Sequence, residues 1–141
     1  MNYAPILLFT YNRLEHTQRT IDYLVKNHLA KFSILFIYSD GPKTIFEQDN
    51  IDKLRNYLKT IVGFKNINII YRNENLGLSK NIINGVTEVC NVYGKVIVLE
   101  DDLITSPYFL NFMNDGIDIY LNNPNVSSIH GYVYPTNINL P

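Results

Sequence analysis

VIVLEDDLITSP, Val96 to Pro107, decides the fold: four apolar residues run straight into Glu100, Asp101 and Asp102, and a Ser-Pro pair follows. A short, continuous apolar run suits a strand buried on both faces, as in a parallel sheet. Lys95 to Leu99 is therefore predicted as a strand. Ser106 is a good N-cap and Pro107 a good first helical residue, so a helix is expected to start there. Phe109, Leu110, Met113, Ile117 and Tyr120 would be its apolar residues, and Asn122-Asn123-Pro124 its end.

The same pattern recurs upstream. Ile6 to Phe9, Ile34 to Tyr38 and Ile67 to Tyr71 read as strands. Leu14 to Leu29, Thr44 to about Ile61 and Leu78 to Val92 carry apolar residues at helical spacing. Gly63 is a plausible stop beyond the second of these helices, and Val126 to His130 reads as a fifth strand. The last ten residues read as turn or coil. Repeated strand–helix alternation predicts a single Rossmann-like α/β domain, a mostly parallel sheet with helices on both faces. Ligands of such sheets lie outside the carboxyl ends of the strands. Those ends hold Thr10-Tyr11-Asn12-Arg13, Ser39-Asp40-Gly41, Arg72-Asn73-Glu74-Asn75 and Glu100-Asp101-Asp102.

Composition narrows the function. A chain of 141 residues fits one domain, and an apolar fraction of 46% fits a packed core. A formal net charge of −1 without long runs of one sign argues against a nucleic-acid protein acting through bulk charge. Cys90 is the single cysteine, expected as a buried thiol on a helix face, so neither an intrachain disulfide nor a zinc cluster is expected. His16, His28 and His130 lack metal-ligand spacing. The N-terminal stretch lacks a basic n-region, and no apolar run is long enough to span a bilayer. A cytoplasmic chain is expected, with peripheral membrane association left open.

The phosphate-binding signatures Gly-x-Gly-x-x-Gly and Gly-x-x-x-x-Gly-Lys-Ser/Thr are both absent. Three adjacent carboxylates repel one another unless a cation or a donor-rich ligand compensates them. Mg²⁺ or Mn²⁺ takes oxygen ligands, Mg²⁺ commonly one or two carboxylates plus substrate phosphates, so the cluster suits a metal–diphosphate site. The plainer alternative is a solvated acidic turn favouring the following helix dipole. Arg13 is placed to pair with a phosphate or to form a surface salt bridge. Asp40 can accept hydrogen bonds from a base or ribose, or shape its own turn. Lys80 can reach a phosphate from the start of its helix, or remain solvated.

With those residues in place, the chain resembles the nucleotide-binding half of GT-A-fold glycosyltransferases, being similar to the family-two and N-acetylglucosaminyltransferase-I-like groups. The matching stretches are Pro5 to Arg13, Tyr38-Ser39-Asp40-Gly41, Asn73 to Asn81 and Val98 to Asp102. The resemblance implies a nucleotide-diphosphate sugar donor, most often a UDP-sugar, with Mn²⁺ or Mg²⁺, and inverting transfer. Glu100-Asp101-Asp102 matches the family's Asp-x-Asp motif. Asp102 would then bind the metal, and Glu100 and Asp101 the ribose or donor sugar. Asp40 would meet the uracil, Arg13 the base and phosphate, and Lys80 the nucleotide. Thr10 would line the base pocket through its backbone, and Asn12 falls in the same donor-binding set. Ile129-His130-Gly131-Tyr132 would lie beside the donor sugar.

Members of the family continue well beyond this length and carry their catalytic base and acceptor site there. The chain is thus expected to be a donor-binding portion that transfers sugar poorly, with its acceptor and catalytic base unassigned. Two other readings stay open. One is a nucleotidyltransferase, which usually needs a glycine-rich basic loop that Thr10 to Arg13 does not supply. The other is a non-catalytic nucleotide- or partner-binding module, with homodimerisation through exposed apolar surface.

Overall fold

A computed structural model describes residues 3–132. Four strands, β1 (Ile6–Thr10), β2 (Ile34–Ser39), β3 (Asn66–Tyr71) and β4 (Ile97–Glu100), alternate with four helices. The helices are α1 (Leu14–Leu24), α2 (Gln48–Leu58), α3 (Leu78–Tyr93) and α4 (Phe109–Tyr120). The strands form one sheet in the order β3-β2-β1-β4, and every neighbouring pair is parallel. This is the expected α/β architecture, consistent with a Rossmann-like arrangement. Among the described residues no helix is long and apolar enough to cross a membrane.

The strands are apolar on both sides because both sides are covered. Ile6 and Leu8 of β1 pack with Leu35, Ile37, Ile97 and Leu99 against residues of α1, α2 and α4. The intervening Leu7 and Phe9 pack with Tyr38 against Val89 and neighbouring residues of α3. Side chains of a strand alternate between faces, so a run of consecutive apolar residues fills both layers. Right-handed crossovers put α1 and α2 on one face as the chain moves from β1 to β3. The return to β4 on the far side of β1 then puts α3 on the other. The direction of winding reverses between β1 and β4, and a crevice opens there at the carboxyl edge.

The boundaries depart from expectation where contacts distant in sequence intervene. α1 ends at Leu24, not Leu29, because Asn27 turns inward. The Asn27 amide donates to the Tyr23 carbonyl and to Thr105 Oγ1, while its Oδ1 accepts from the Leu110 N–H. Local side-chain bonding of this kind competes with helix continuation. The same contact explains α4, which starts at Phe109 rather than Pro107. Asn27 satisfies an early amide of α4, and the Ser106 carbonyl instead accepts the Phe109 N–H in a turn. His28 leaves the helical face and meets the Tyr108 ring edge-on at 4.6 Å. α2 ends at Leu58, short of Ile61 and Gly63, and its predicted first turn is a separate 3₁₀ turn, Ile45–Glu47.

Val126 to His130 is not a strand. It lies against α4, with Ile129 beside Gly116 and Gly131 beside Phe109 and Met113, so it fills a helix surface instead of extending the sheet. Cys90 is only partly buried and lines a groove beside β4. The coil expected for the last ten residues falls, beyond Tyr132, outside the described residues.

Candidate functional site

The carboxyl ends of the strands meet around an open cleft of about 250 Å³. β1 contributes Thr10, Tyr11, Asn12 and Arg13, β2 supplies Asp40 and Lys43, and β4 supplies Glu100 and Asp101. Asn75, Gly77 and Asn81 close it from the loop after β3 and the start of α3. A larger groove of about 560 Å³ lies beside β4, but it is mostly apolar and lacks a comparable set of charged groups. The smaller cleft is the chemically equipped one.

Asp40 organises the cleft. It is buried, with Oδ1 accepting the N–H groups of Gly41 (3.0 Å) and Leu76 (2.9 Å) and Oδ2 that of Gly77 (3.1 Å). A carboxylate on the amides that open α3 is favoured by the helix dipole. Gly77 has φ +75°, a backbone conformation natural to glycine. Gly41 is required for a different reason: its α-carbon lies directly against the Glu74 backbone. Asn75 Nδ2 closes the same junction by donating to the Gly41 carbonyl at 2.9 Å. Asp40 thus ties the β2 and β3 loops together, as well as shaping its own turn.

Arg55 of α2 supports this junction from behind. Its Nη2 donates to the carbonyls of Ser39, Asp40 and Arg72, and its guanidinium lies over the Tyr71 ring. On the other side of the cleft Glu47 accepts from the Tyr11 hydroxyl (2.6 Å), Asn12 Nδ2 (3.2 Å) and the Lys43 amide (2.9 Å). Glu47 also completes a capping box with Thr44. Burial, then the bond to Glu47, push the Tyr11 phenol up to about 12. The same bond, opposed in part by desolvation, holds the Glu47 carboxyl below its ordinary value.

Arg13 lies between the β1 and β4 ends and donates through Nη2 to Asp101 Oδ1 and, at 3.2 Å, to Asp102 Oδ2. Asp101 is buried, and burial raises its carboxyl above the ordinary range, with Arg13 acting against that rise. Its Oδ2 has no partner among the described residues, and neither has the buried Thr10 Oγ1. The Glu100 side chain lines the cleft and accepts no protein hydrogen bond among those residues. Asp102 is exposed and reaches the site only through Arg13.

The cleft thus gathers Thr10, Asn12, Arg13, Asp40, Glu100 and Asp101. The Thr10 carbonyl is occupied by the Asp40 N–H at 3.0 Å. Lys80 is exposed on α3 and is not among the lining residues, whereas Lys43 is. No group of three or more His, Cys, Asp or Glu converges as a metal cage among the described residues. Sequence reading did not single out Tyr11, Lys43, Glu47, Arg55, Asn75 or Asn81. One of these carried a signal: Thr44-x-x-Glu47 is a capping-box pattern.

The fold and cleft together define an all-parallel α/β protein with a charged site at its topological switch point. No protein-family model matches the chain, and no curated protein matches it.

Proposed function

We propose that the cleft binds a nucleotide-diphosphate sugar, most simply a UDP-sugar, together with Mn²⁺ or Mg²⁺, as the donor site of a GT-A-type glycosyltransferase. One observation carries the reading. Arg13 and Lys43 face Asp40, Glu100 and Asp101 in a crevice at the reversal point of the sheet, leaving one net negative charge among the lining residues. A bare diphosphate would be repelled from such a lining, and a metal-chelated one far less so. The volume lies just below the range of about 300–1,000 Å³ usual for small-molecule sites, so the ligand would extend through the open mouth.

The carboxylates fit a cation of the kind that keeps its substrate's phosphates as ligands. Asp101 has an orphaned oxygen, Asp102 is solvent-accessible, and no all-protein cage is needed. When bound, the cation would offset charge on the departing nucleoside diphosphate. Arg13 and Lys43 would hold phosphate oxygens. Glu100 would accept from sugar or ribose hydroxyls. Asp40 would act by fixing the loops that frame the cleft. Transfer replaces the anomeric C–O bond to diphosphate with one to an acceptor hydroxyl, whose proton passes to a base.

A second reading, a non-catalytic nucleotide-binding module, draws support from the fact that protein donors already engage Asp40, Asp101 and Asp102. Calorimetric titration of UDP, other nucleotides and UDP-sugars, with and without Mn²⁺, tests the site in wild type and Asp102→Ala. Mn²⁺-dependent UDP binding that weakens in the variant is expected. Failure of every nucleotide to bind would refute the proposal. Binding without transfer to any tested acceptor would favour the second reading.

A further inference from the structure

Arg13 is the only cationic side chain within ion-pair distance of Asp101 or Asp102 among the described residues. The pair is uneven: the Arg13 side chain is 44% exposed and that of Asp101 4%. Asp101 is therefore a buried charge and Arg13 a partner with access to solvent. A buried carboxylate is tolerated when a cation compensates it, and here the guanidinium does so. The second Asp101 oxygen remains buried without a partner beside the cleft, so the compensation is incomplete.

A divalent cation arriving alone meets two carboxylates whose charge is already offset in part, with a guanidinium close by. Arginine cannot step aside by losing its proton. An anion that binds guanidinium well can draw it off, and a diphosphate is such an anion. We propose that Arg13 is a resident counter-cation that makes metal binding at Asp101 and Asp102 conditional on a diphosphate, moving from the carboxylates to the phosphate as the two ligands enter together. The proposal rests on the nucleotide–metal reading above and adds an interdependence to it. Metal alone binds weakly, nucleotide alone binds weakly, and each tightens the other by the same factor.

The test uses the whole chain and Mn²⁺ followed by its EPR signal, with UDP as the diphosphate, in wild type, Arg13→Gln and Arg13→Lys. UDP is expected to tighten Mn²⁺ binding to wild type about tenfold or more, a coupling of ordinary size. Arg13→Gln is expected to bind Mn²⁺ alone about tenfold tighter than wild type. Repulsion between a unit charge and a divalent cation about 6 Å apart supplies that factor even at the dielectric of water. Arg13→Lys keeps the charge and is expected to stay close to wild type, which separates charge from any general loosening. Equal Mn²⁺ affinities for wild type and Arg13→Gln, with UDP still binding alongside Mn²⁺, would overturn the Arg13 proposal and leave the nucleotide reading standing. Failure of UDP to bind under any condition would remove the nucleotide reading and the conditional entry with it.

Discussion

Gly41→Ala puts the loop junction to a quantitative test. A Cβ at residue 41 would stand 2.5 Å from the Glu74 carbonyl carbon, 2.7 Å from its oxygen and 2.8 Å from its nitrogen. These are backbone atoms, so no side chain can rotate away, and the loop must retreat by about 1 Å to reach ordinary contact. That retreat draws Leu76 and Gly77 away from Asp40 and Asn75 away from the Gly41 carbonyl. Overpacking costs about 1–3 kcal/mol, and each hydrogen bond to a charged group contributes about 1.5–3 kcal/mol. Partial relaxation keeps these from adding in full, so a loss of about 3 kcal/mol is expected. With about 2.1 cal/mol/K of unfolding entropy per residue, that lowers Tm by about 10 °C in a chain of 141 residues. Urea unfolding reads it as a lower midpoint at unchanged slope. Gly85→Ala is the control. Its Cβ would meet the buried side-chain rings of Phe9 (2.9 Å) and Tyr38 (3.2 Å), so the clash is with packed rings and not with backbone. A helix-propensity gain of about 1 kcal/mol offsets part of the overpacking cost of about 1–3 kcal/mol, so a smaller loss than for Gly41→Ala is expected. A loss below about 1 kcal/mol for Gly41→Ala would refute the backbone-contact reasoning.

Asn27→Ala should cost about 3 kcal/mol, because it leaves the Leu110 amide and Thr105 hydroxyl buried without Asn27 as their partner. Chemical denaturation measures it, and a loss within experimental error would show that α4 does not need this cap. Glu47 has a lowered folded pKa, so its contribution is present above the ordinary glutamate value of about 4.3 and is lost as pH falls through the lowered one. Hydrogen exchange at the Lys43 and Thr44 amides, normalised for intrinsic rates, should rise over that acid range and become independent of pH in Glu47→Gln. Asp101 has the opposite sign. Its folded pKa is raised, so the stability due to its neutral form is complete below the unfolded value and is lost as pH rises through the folded one. Asp101→Asn, which keeps an acceptor for Arg13, should therefore raise Tm at neutral pH and lose that advantage in acid. A lower Tm at neutral pH would contradict it.

Much of the fold is legible because parallel strands covered on both faces must be apolar throughout. Ile6 to Phe9 and Ile34 to Tyr38 are such runs, and both are strands. What misleads is long-range. Nothing near Leu24 announces that Asn27 will bond to Thr105 and Leu110, so the end of one helix and the start of another are displaced together. Val126 to His130 holds only Val126 and Ile129 as apolar residues, and Gly116 and Gly131 open a place for it on α4. In the site, residue type identified the edge but not the partners. Arg13 forms ion pairs, Asp40 shapes its own turn and binds a distant loop, and Lys80 faces solvent. The plainer alternative for each was visible in the sequence. Choosing between alternatives required knowing which loops meet.

The acidic run illustrates the limit most directly. Adjacency in sequence suggests three carboxylates acting on one point, but a strand end sends consecutive side chains in different directions. Glu100 is in register with Phe9, whose side chain packs on the α3 side of the sheet. Asp101 meets Arg13 at the start of α1, on the other side, and Asp102 reaches the same guanidinium from solvent. The run is divided between a carboxylate free to meet hydroxyl groups and two that share one cation. Division lowers the mutual repulsion that clustering would impose. It also leaves the acidic pair dependent on whatever positive charge is at hand, which among the described residues is Arg13. Relieving that dependence by substituting Arg13, and asking whether metal binding improves, therefore probes an arrangement that the order of residues does not disclose.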